Sequence, residues 1–150
     1  MDMILWRHAE AEDTVPDEAR VLTTKGRRQA RAMAKWLSEH VKGRVRVVAS
    51  NALRAQQTAQ ALVNDFEIVP DVAVGASASD VIQVAGWPNG ENTVIIVGHQ
   101  PTLGQVASLL LTGKEADGQF KKGAIWWFRT RGDGLELETL LHAVISPELI

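Results

Sequence analysis

Two arginines and two histidines lie where they could bind a phosphate group and react with it. Arg7 and His8 directly follow the apolar run ILW, and His99 directly follows a second run, VIIVG. Arg54 lies in the segment SNALRAQQT, just after a third run, VRVVAS. A guanidinium group can bind two phosphate oxygens at once, and a neutral imidazole can attack phosphorus. The pattern predicts a phosphoryl-transfer site, provided that the fold brings these residues together.

The other common nucleophiles and phosphate loops of such enzymes are missing. The chain has no cysteine, no Asp-x-Asp pair and no G-x-x-x-x-G-K-[ST] loop. The segment GASAS at 75–79 lacks the final glycine of a nucleophile elbow, and GDG at 132–134 lacks the third glycine of a dinucleotide fingerprint. Histidine therefore remains as the nucleophile. A ring nitrogen held as an N–H donor, for example to a backbone carbonyl, would leave the other lone pair free to attack.

The three apolar runs predict the strands that must position these groups. MILW, RVRVVAS and NTVIIVG are short runs of β-branched or other apolar residues, which are typical of parallel strands covered on both faces. Ligands of open α/β sheets bind at the carboxyl ends of the strands. We therefore expect the four side chains to meet at one edge, where the start of the helix that carries Arg54 adds free backbone N–H groups.

Helical patterns alternate with these strands. A helix is predicted over 24–41, capped by Thr23 or Thr24; further helices are predicted over 50–65 with Ser50 as cap, over 79–85, and over 101–112 with Gly113 as terminator. One face of the first helix is basic and carries Arg28, Arg31, Lys35 and Lys42. We interpret that face as solvated surface, with docking of an acidic partner as the alternative.

The C-terminal region has a different pattern. AIWWFRT and LELETLLHA flank RGDG, which predicts two antiparallel strands joined by a tight turn at the edge of the sheet. Trp126 and Trp127 should then point to opposite faces, one into the core. The predicted fold class is α/β, with three α/β/α layers and a mostly parallel central sheet.

Composition sets the remaining expectations. A chain of 150 residues that is 45% apolar predicts one domain over 1–150, and a net charge of -2 gives no general attraction to nucleic acid or to anionic membranes. The lack of cysteine, of a signal peptide and of a long apolar run favours a soluble cytoplasmic protein. Glu10, Glu12 and Asp13 are interpreted as solvated loop carboxylates, because two nearby arginines would repel a cation. No metal or other cofactor is expected.

Four segments together carry a resemblance to the histidine phosphatase superfamily, which has the phosphoglycerate mutase-like fold. They are RHA at 7–9, LTTKG at 22–26, SNALRAQQTA at 50–59 and VGHQP at 97–101. The short chain and the LTTKG segment are most similar to the small phosphohistidine phosphatases of the SixA type. The resemblance implies that His8 is transiently phosphorylated, that Arg7 and Arg54 clamp the phosphoryl group, and that His99 stabilises the transition state.

The chain departs from the superfamily pattern at two points. Ala9 stands where most members have glycine. Larger members carry a general-acid glutamate in an inserted segment, but residues 65–92 contain no such insertion, so that Asp80 is the only attractive candidate. Without an acid, an imidazole protonated on its far nitrogen still leaves more readily than an alkoxide. This favours a protein phosphohistidine substrate, such as a phosphotransfer domain or a phosphotransferase carrier. A phosphatase for small phosphate esters and a non-catalytic phosphoprotein-binding module are the alternatives.

Overall fold

The computed structural model describes all 150 residues and contains one six-stranded sheet. The strands are β1 Asp2–Arg7, β2 Val45–Ala49, β3 Glu67–Ile68, β4 Thr93–Gly98, β5 Ile125–Arg131 and β6 Glu138–Ile145. Their order is β3-β2-β4-β1-β5-β6, in which the first four strands run parallel and the last two are antiparallel. The predicted α/β class, with its mostly parallel sheet and antiparallel C-terminal edge, is confirmed.

Four α-helices connect or flank the strands: α1 Thr24–His40, α2 Leu53–Gln60, α3 Ala78–Ala85 and α4 Thr102–Thr112. The side chain of Thr23 accepts a hydrogen bond from the Gly26 N–H and caps α1, and Gly113 ends α4 in the left-handed conformation, as predicted. Ser77 caps α3, which begins one residue earlier than expected. None of these helices is long and apolar enough to cross a lipid bilayer.

The prediction for α2 was wrong at both ends. The helix covers only residues 53–60 instead of 50–65, and its N-cap is Ala52 rather than Ser50. The hydroxyl oxygen of Ser50 accepts a hydrogen bond from the Ala52 N–H, so it closes the turn that precedes the helix. Residues 61–66 continue without α-helix, and Leu62 and Phe66 pack against the core from this segment.

Both faces of the sheet are covered, which gives the three predicted layers. Along β1, Met3 and Leu5 belong to one core while Ile4 and Trp6 belong to the other, as the two-residue period of a strand requires. The first core is completed by Val81 of α3 and by side chains of α4, and the second by side chains of α1 and α2. A strand buried on both faces is rigid, and β1 carries Arg7 at its end.

The antiparallel edge differs from prediction in its connection. Arg131 pairs with Glu138, so a six-residue loop replaces the expected tight turn, and β6 begins three residues later than the apolar pattern suggested. Leu135 is fully exposed in that loop and cannot act as a strand residue. Trp127 is buried in the second core, while Trp126 is partly buried on the opposite face, as expected.

A close backbone contact holds α1 against the loop that follows β1. A Cβ atom at position 26 would lie 1.9 Å from the carbonyl oxygen of Glu10, so only glycine fits there. The Thr23 N–H donates to the same carbonyl oxygen, at 3.0 Å. The LTTKG segment thereby fixes the loop that begins at His8.

Candidate active site

Arg7 and His8 stand at the carboxyl end of β1, between β4 and β5. The His8 N–H donates to the Gly98 carbonyl at 3.1 Å, and the His8 carbonyl accepts from the Gly123 N–H at 3.1 Å. The Arg7 guanidinium donates through Nη1 to the carbonyl of Phe120 at 2.6 Å. Backbone groups from two segments, the end of β4 and the loop before β5, therefore hold this pair in place.

The His8 ring is buried and held in one tautomer. Its Nδ1 lies 2.8 Å from the Ala9 carbonyl oxygen, which can only accept, so Nδ1 carries the proton and Nε2 keeps a lone pair. Burial lowers the pKa of His8 to about 4, and the positive charges of Arg54, Arg7 and Arg20 lower it further. The hydrogen bond to the Ala9 carbonyl acts in the opposite direction and raises the pKa. His8 is neutral at pH 7.

Arg54 lies in the first turn of α2 and is only 3% exposed. Its Nη1 donates to the Asp17 carbonyl oxygen at 2.8 Å, and its Nη2 donates to Oδ2 of the Asp17 side chain at 3.1 Å. Asp17 belongs to a single 3-10 turn at residues 17–19 in the loop between β1 and α1. One edge of the guanidinium is therefore occupied, while Nε has no partner.

His99 follows β4 directly and is 3% exposed. Its Nε2 lies 2.7 Å from Oγ of Ser50, whose oxygen also accepts from the Ala52 N–H. Burial lowers the pKa of His99 to about 3, and the positive charges of the neighbouring side chains add to this effect although Asp17 opposes it. His99 is also neutral at pH 7, and its Nδ1 is buried without a partner.

These four side chains lie close together and form the candidate pocket, since the charges of Arg7 and Arg54 act on both histidines. The rings of His8 and His99 lie 5.2 Å apart between centroids. Three buried nitrogens have no hydrogen-bond partner in the protein, namely Nε of Arg7, Nε of Arg54 and Nδ1 of His99. An unpaired buried donor costs about 1–3 kcal/mol. Three of them around one histidine fit an anion that accepts several hydrogen bonds at once.

Several residues at the site were not identified from the sequence. Thr58 accepts a hydrogen bond from the Ala9 N–H at 3.1 Å and donates to the Arg54 carbonyl at 2.8 Å, so it ties the two motifs together. Its position four residues after Arg54 is the signal that could have revealed it. Asp17 and Ser50 also contact site residues, but an acidic loop residue and a predicted helix cap gave no such signal.

Two further expectations concern Ala9 and Asp80. Ala9 is fully buried, and no residue other than glycine has a positive φ, so alanine is accommodated after the Arg-His pair without strain. Asp80 is exposed in the first turn of α3. No hydrogen bond or ion pair links its carboxylate to the four pocket residues.

The sheet topology and the pocket define an α/β protein with a candidate oxyanion site around two neutral histidines. Comparison with known proteins gives the family. Residues 3–75 match the model of the histidine phosphatase superfamily, branch 1. Phosphohistidine phosphatase SixA of Escherichia coli K12 is 30% identical over 126 residues, which cover 76% of each chain.

Solved structures agree with this match. The structure of the protein histidine phosphatase SixA complexed with tungstate superimposes with a TM-score of 0.83 at 27% identity and covers 99% of each chain. A putative phosphohistidine phosphatase SixA from Nakamurella multipartitia gives a TM-score of 0.76 at 29% identity, covering 97% of this chain and 95% of the other. The chain belongs to the histidine phosphatase superfamily, in its SixA-type branch. Enzymes of this superfamily are phosphatases.

Proposed function

We propose that this protein is a metal-independent phosphohistidine phosphatase that removes a phosphoryl group from a histidine of another protein. The observation that carries the proposal is the set of three unpartnered, buried nitrogens around neutral His8. A phosphoryl group has three equatorial oxygens in its transition state, and these could accept from Arg7, Arg54 and His99. The SixA relative complexed with tungstate, a tetrahedral oxyanion like phosphate, supports the same reading.

In the first half-reaction, Nε2 of His8 attacks phosphorus. The new Nε2–P bond forms as the P–N bond to the substrate imidazole breaks, and the electron pair of that bond stays with the departing ring. A substrate ring protonated on its far nitrogen leaves as neutral imidazole and needs no further proton. Phosphorylated His8 is then an imidazolium whose Nδ1–H donates to the Ala9 carbonyl, which stabilises the positive charge.

In the second half-reaction, water attacks phosphorus and the Nε2–P bond breaks. His8 recovers its lone pair while Nδ1 keeps its proton throughout. The water keeps one proton and passes the other to a phosphate oxygen or to solvent, so the product is inorganic phosphate. The two arginines and the N–H of His99 stabilise the charge on the phosphoryl oxygens in both steps.

The absence of an acid near the pocket supports a phosphoramidate substrate over a phosphate ester. Asp17 is the only carboxylate bonded to a pocket residue, and it is held by Arg54. Desolvation raises the pKa of Asp17, but the hydrogen bonds and charges of Arg54 and Arg20 outweigh it and keep the pKa below its ordinary value. Asp17 is therefore ionised at pH 7 and is poorly suited to protonate an alkoxide.

The test is a rapid quench of the enzyme with a phosphotransfer domain carrying ³²P on its histidine. We expect acid-labile, base-stable label on His8, and a loss of turnover of at least about four orders of magnitude in His8→Ala. The matched control is His142→Gln, which changes an exposed histidine of β6 and should turn over normally. Label on another residue, or normal turnover by His8→Ala, would refute the proposal.

The same assay separates the two alternatives. Faster turnover of small phosphate esters than of the phosphoprotein, together with an essential Asp80, would indicate an ester phosphatase. Tight binding without turnover would indicate a phosphoprotein-binding module. We also propose that residues 1–150 act as one domain, because the first strand pairs with the fifth and both cores share one sheet.

A further inference from the structure

A second cationic region lies beside the pocket. Lys25 and Arg28 of α1 face Lys121, Lys122 and Glu148 across an open groove of about 620 Å³, with Gln29 at its base. We call it the cationic groove. Its four positive side chains and one carboxylate contrast with the net charge of -2 of the whole chain.

The cationic groove is connected directly to the backbone that holds the catalytic pair. Lys121 and Lys122 lie between Phe120, whose carbonyl binds Arg7, and Gly123, whose N–H binds the His8 carbonyl. On the opposite wall, Gln29 Oε1 accepts from the Glu10 N–H at 3.0 Å. On one side of the groove, Lys121 directly follows Phe120, which binds Arg7. On the other side, Gln29 binds Glu10, which is two residues after His8.

The cationic groove already binds one carboxylate of the chain itself. Lys121 donates to Glu148, which is carried into the groove by the C-terminal 3-10 turn at residues 147–149. The hydrogen bond from Lys121 and the nearby charge of Lys25 keep the pKa of Glu148 below its ordinary value. Lys25, Arg28 and Lys122 make no ion pair, so most of the positive charge is uncompensated.

We propose that the cationic groove docks an acidic segment of the protein substrate next to its phosphorylated histidine. The proposal rests on the function proposed above, which it deepens by naming the chemistry of the partner. All four cations are exposed on flexible side chains, an arrangement suited to solvated carboxylates and to steering of the encounter rather than to tight binding of one ion. The resident Glu148 shows the kind of group that fits.

The kinetic test uses the double variant Arg28→Glu, Lys122→Glu, which leaves the Lys121–Glu148 pair intact. The substrate is a phosphorylated histidine phosphotransfer domain with an acidic surface. For this substrate we expect KM to rise about tenfold at 50 mM salt with kcat unchanged. The difference should shrink to about twofold at 0.5 M salt because screening removes it. Turnover of p-nitrophenyl phosphate should not change.

The matched control is Arg31→Glu, Lys35→Glu. It makes the same charge change on the same helix, but these residues face Ala61 and Leu62 beside α2, away from the cationic groove. We expect the KM of this control to rise less than twofold. An equal rise in both variants would show a general charge effect and would overturn the proposal.

A binding measurement that does not depend on catalysis completes the test. Hexaglutamate should shift the amide resonances of residues 25–29 and 121–123, and Glu148→Gln should tighten its binding about threefold because a competing carboxylate is lost. Hexaglutamate binding elsewhere, or tighter binding of an oligouridylate than of hexaglutamate, overturns the proposal.

Failure of the proposed function gives a different result. If the unaltered chain turns over p-nitrophenyl phosphate through His8 but no phosphohistidine protein, the proposed function fails and the protein partner fails with it, whatever hexaglutamate does. If the chain turns over the phosphoprotein and the groove variant keeps its KM, the docking proposal alone is overturned.

Discussion

The proposed catalytic pocket and the cationic groove are two positively charged regions that lie side by side and differ in their access to water. The Arg54 side chain is 4% exposed and is bonded to Asp17 on one edge. The Lys121 side chain in the groove is 68% exposed and its only ion-pair partner is an equally accessible carboxylate. Positive charge is therefore buried in the pocket but exposed to water in the neighbouring groove.

The difference determines what each region can do. In the pocket, donors that water cannot satisfy interact strongly with an anion and need no reorganisation when charge develops on phosphorus. In the groove, each charge is screened, so its contribution is small, depends on salt and affects encounter more than chemistry. We therefore expect changes in the pocket to lower kcat by large factors, and changes in the groove to alter KM by modest ones.

The largest effect after loss of the nucleophile should come from Arg54→Gln. Because the buried Arg54 guanidinium binds the transferring oxygens in the proposed mechanism, we expect kcat/KM to fall by about 10²–10³. The control Arg46→Gln removes an exposed arginine of β2 that pairs with Glu67, and it should leave kcat/KM within twofold. A fall of less than fivefold in Arg54→Gln would remove the distinction between buried and solvated cations.

Ser50→Ala should have the next largest effect. The Ser50 hydroxyl bonds Nε2 of His99, and when it donates there the proton of the ring must reside on Nδ1, toward the phosphoryl oxygens. Without it the other tautomer becomes accessible, and we expect kcat to fall about tenfold. The ¹⁵N shifts of His99 should change at the same time, which a purely structural role for Ser50 would not produce.

The matched control for Ser50 is Ser38→Ala, which removes a surface hydroxyl bonded to the Lys35 carbonyl on α1. It should change neither kcat nor the His99 resonances. Unaltered His99 shifts in Ser50→Ala would contradict the assigned role of Ser50.

The pH dependence gives a smaller but distinctive effect. In the proposed mechanism His8 attacks as a neutral imidazole, and burial lowers its pKa to about 4, so activity should be lost only when the pH falls toward 4. At pH 5.5 we expect no loss of kcat/KM from this group, whereas an ordinary histidine with pKa 6.5 would cause about a tenfold loss. The imidazole C–H resonances of the free protein, titrated from pH 3.5 to 8, check this without a substrate.

The same shifts affect stability. Between the folded pKa values of about 4 and about 3 and the unfolded value of 6.5, the unfolded chain binds more protons than the native state. The stabilisation from neutral His8 and His99 is thus complete above pH 6.5 and is lost progressively as the pH falls from 6.5 to the folded pKa values. Urea unfolding at pH 7 and pH 5 should show a smaller decrease in His8→Ala than in the unaltered chain.

The placement of Arg7, His99 and Arg54 at one edge of the sheet could be predicted from the sequence. Arg7 and His99 directly follow short runs of buried apolar residues, and parallel strands of that kind bring their carboxyl ends to one edge. Arg54 could be predicted for the same reason, since it follows β2 after a short turn. In each case a continuous apolar run in the sequence marks the end of the strand that positions the residue.

Neither the contact between Asp17 and Arg54 nor the cationic groove could be predicted from the sequence. Asp17 lies in an exposed loop without periodicity, and its bond to Arg54 spans 37 residues of sequence. The basic face of α1 was treated as one surface, but the structure divides it, with Arg28 in the groove and Lys35 on the side of α2. Such contacts depend on how loops meet after folding, which the helical period does not encode.

The smallest effect that we expect comes from Asp17→Asn, at the boundary between the two environments. The Asp17 carboxylate is 56% exposed but bonds the buried Arg54, so it competes with a phosphoryl group for the same cation. Because solvent screens this charge and the Asp17 carbonyl still holds Nη1 of Arg54, we expect inorganic phosphate to inhibit only about two- to threefold more strongly.

Asp13→Asn is the control for Asp17, because it neutralises an exposed carboxylate of the same loop. Its inhibition constant for phosphate should not change. If phosphate instead binds Asp17→Asn more weakly than the unaltered chain, the carboxylate contributes more by orienting the Arg54 guanidinium than it costs by competing with the anion. Asp17 would then belong functionally to the buried pocket, although most of its side chain is in water.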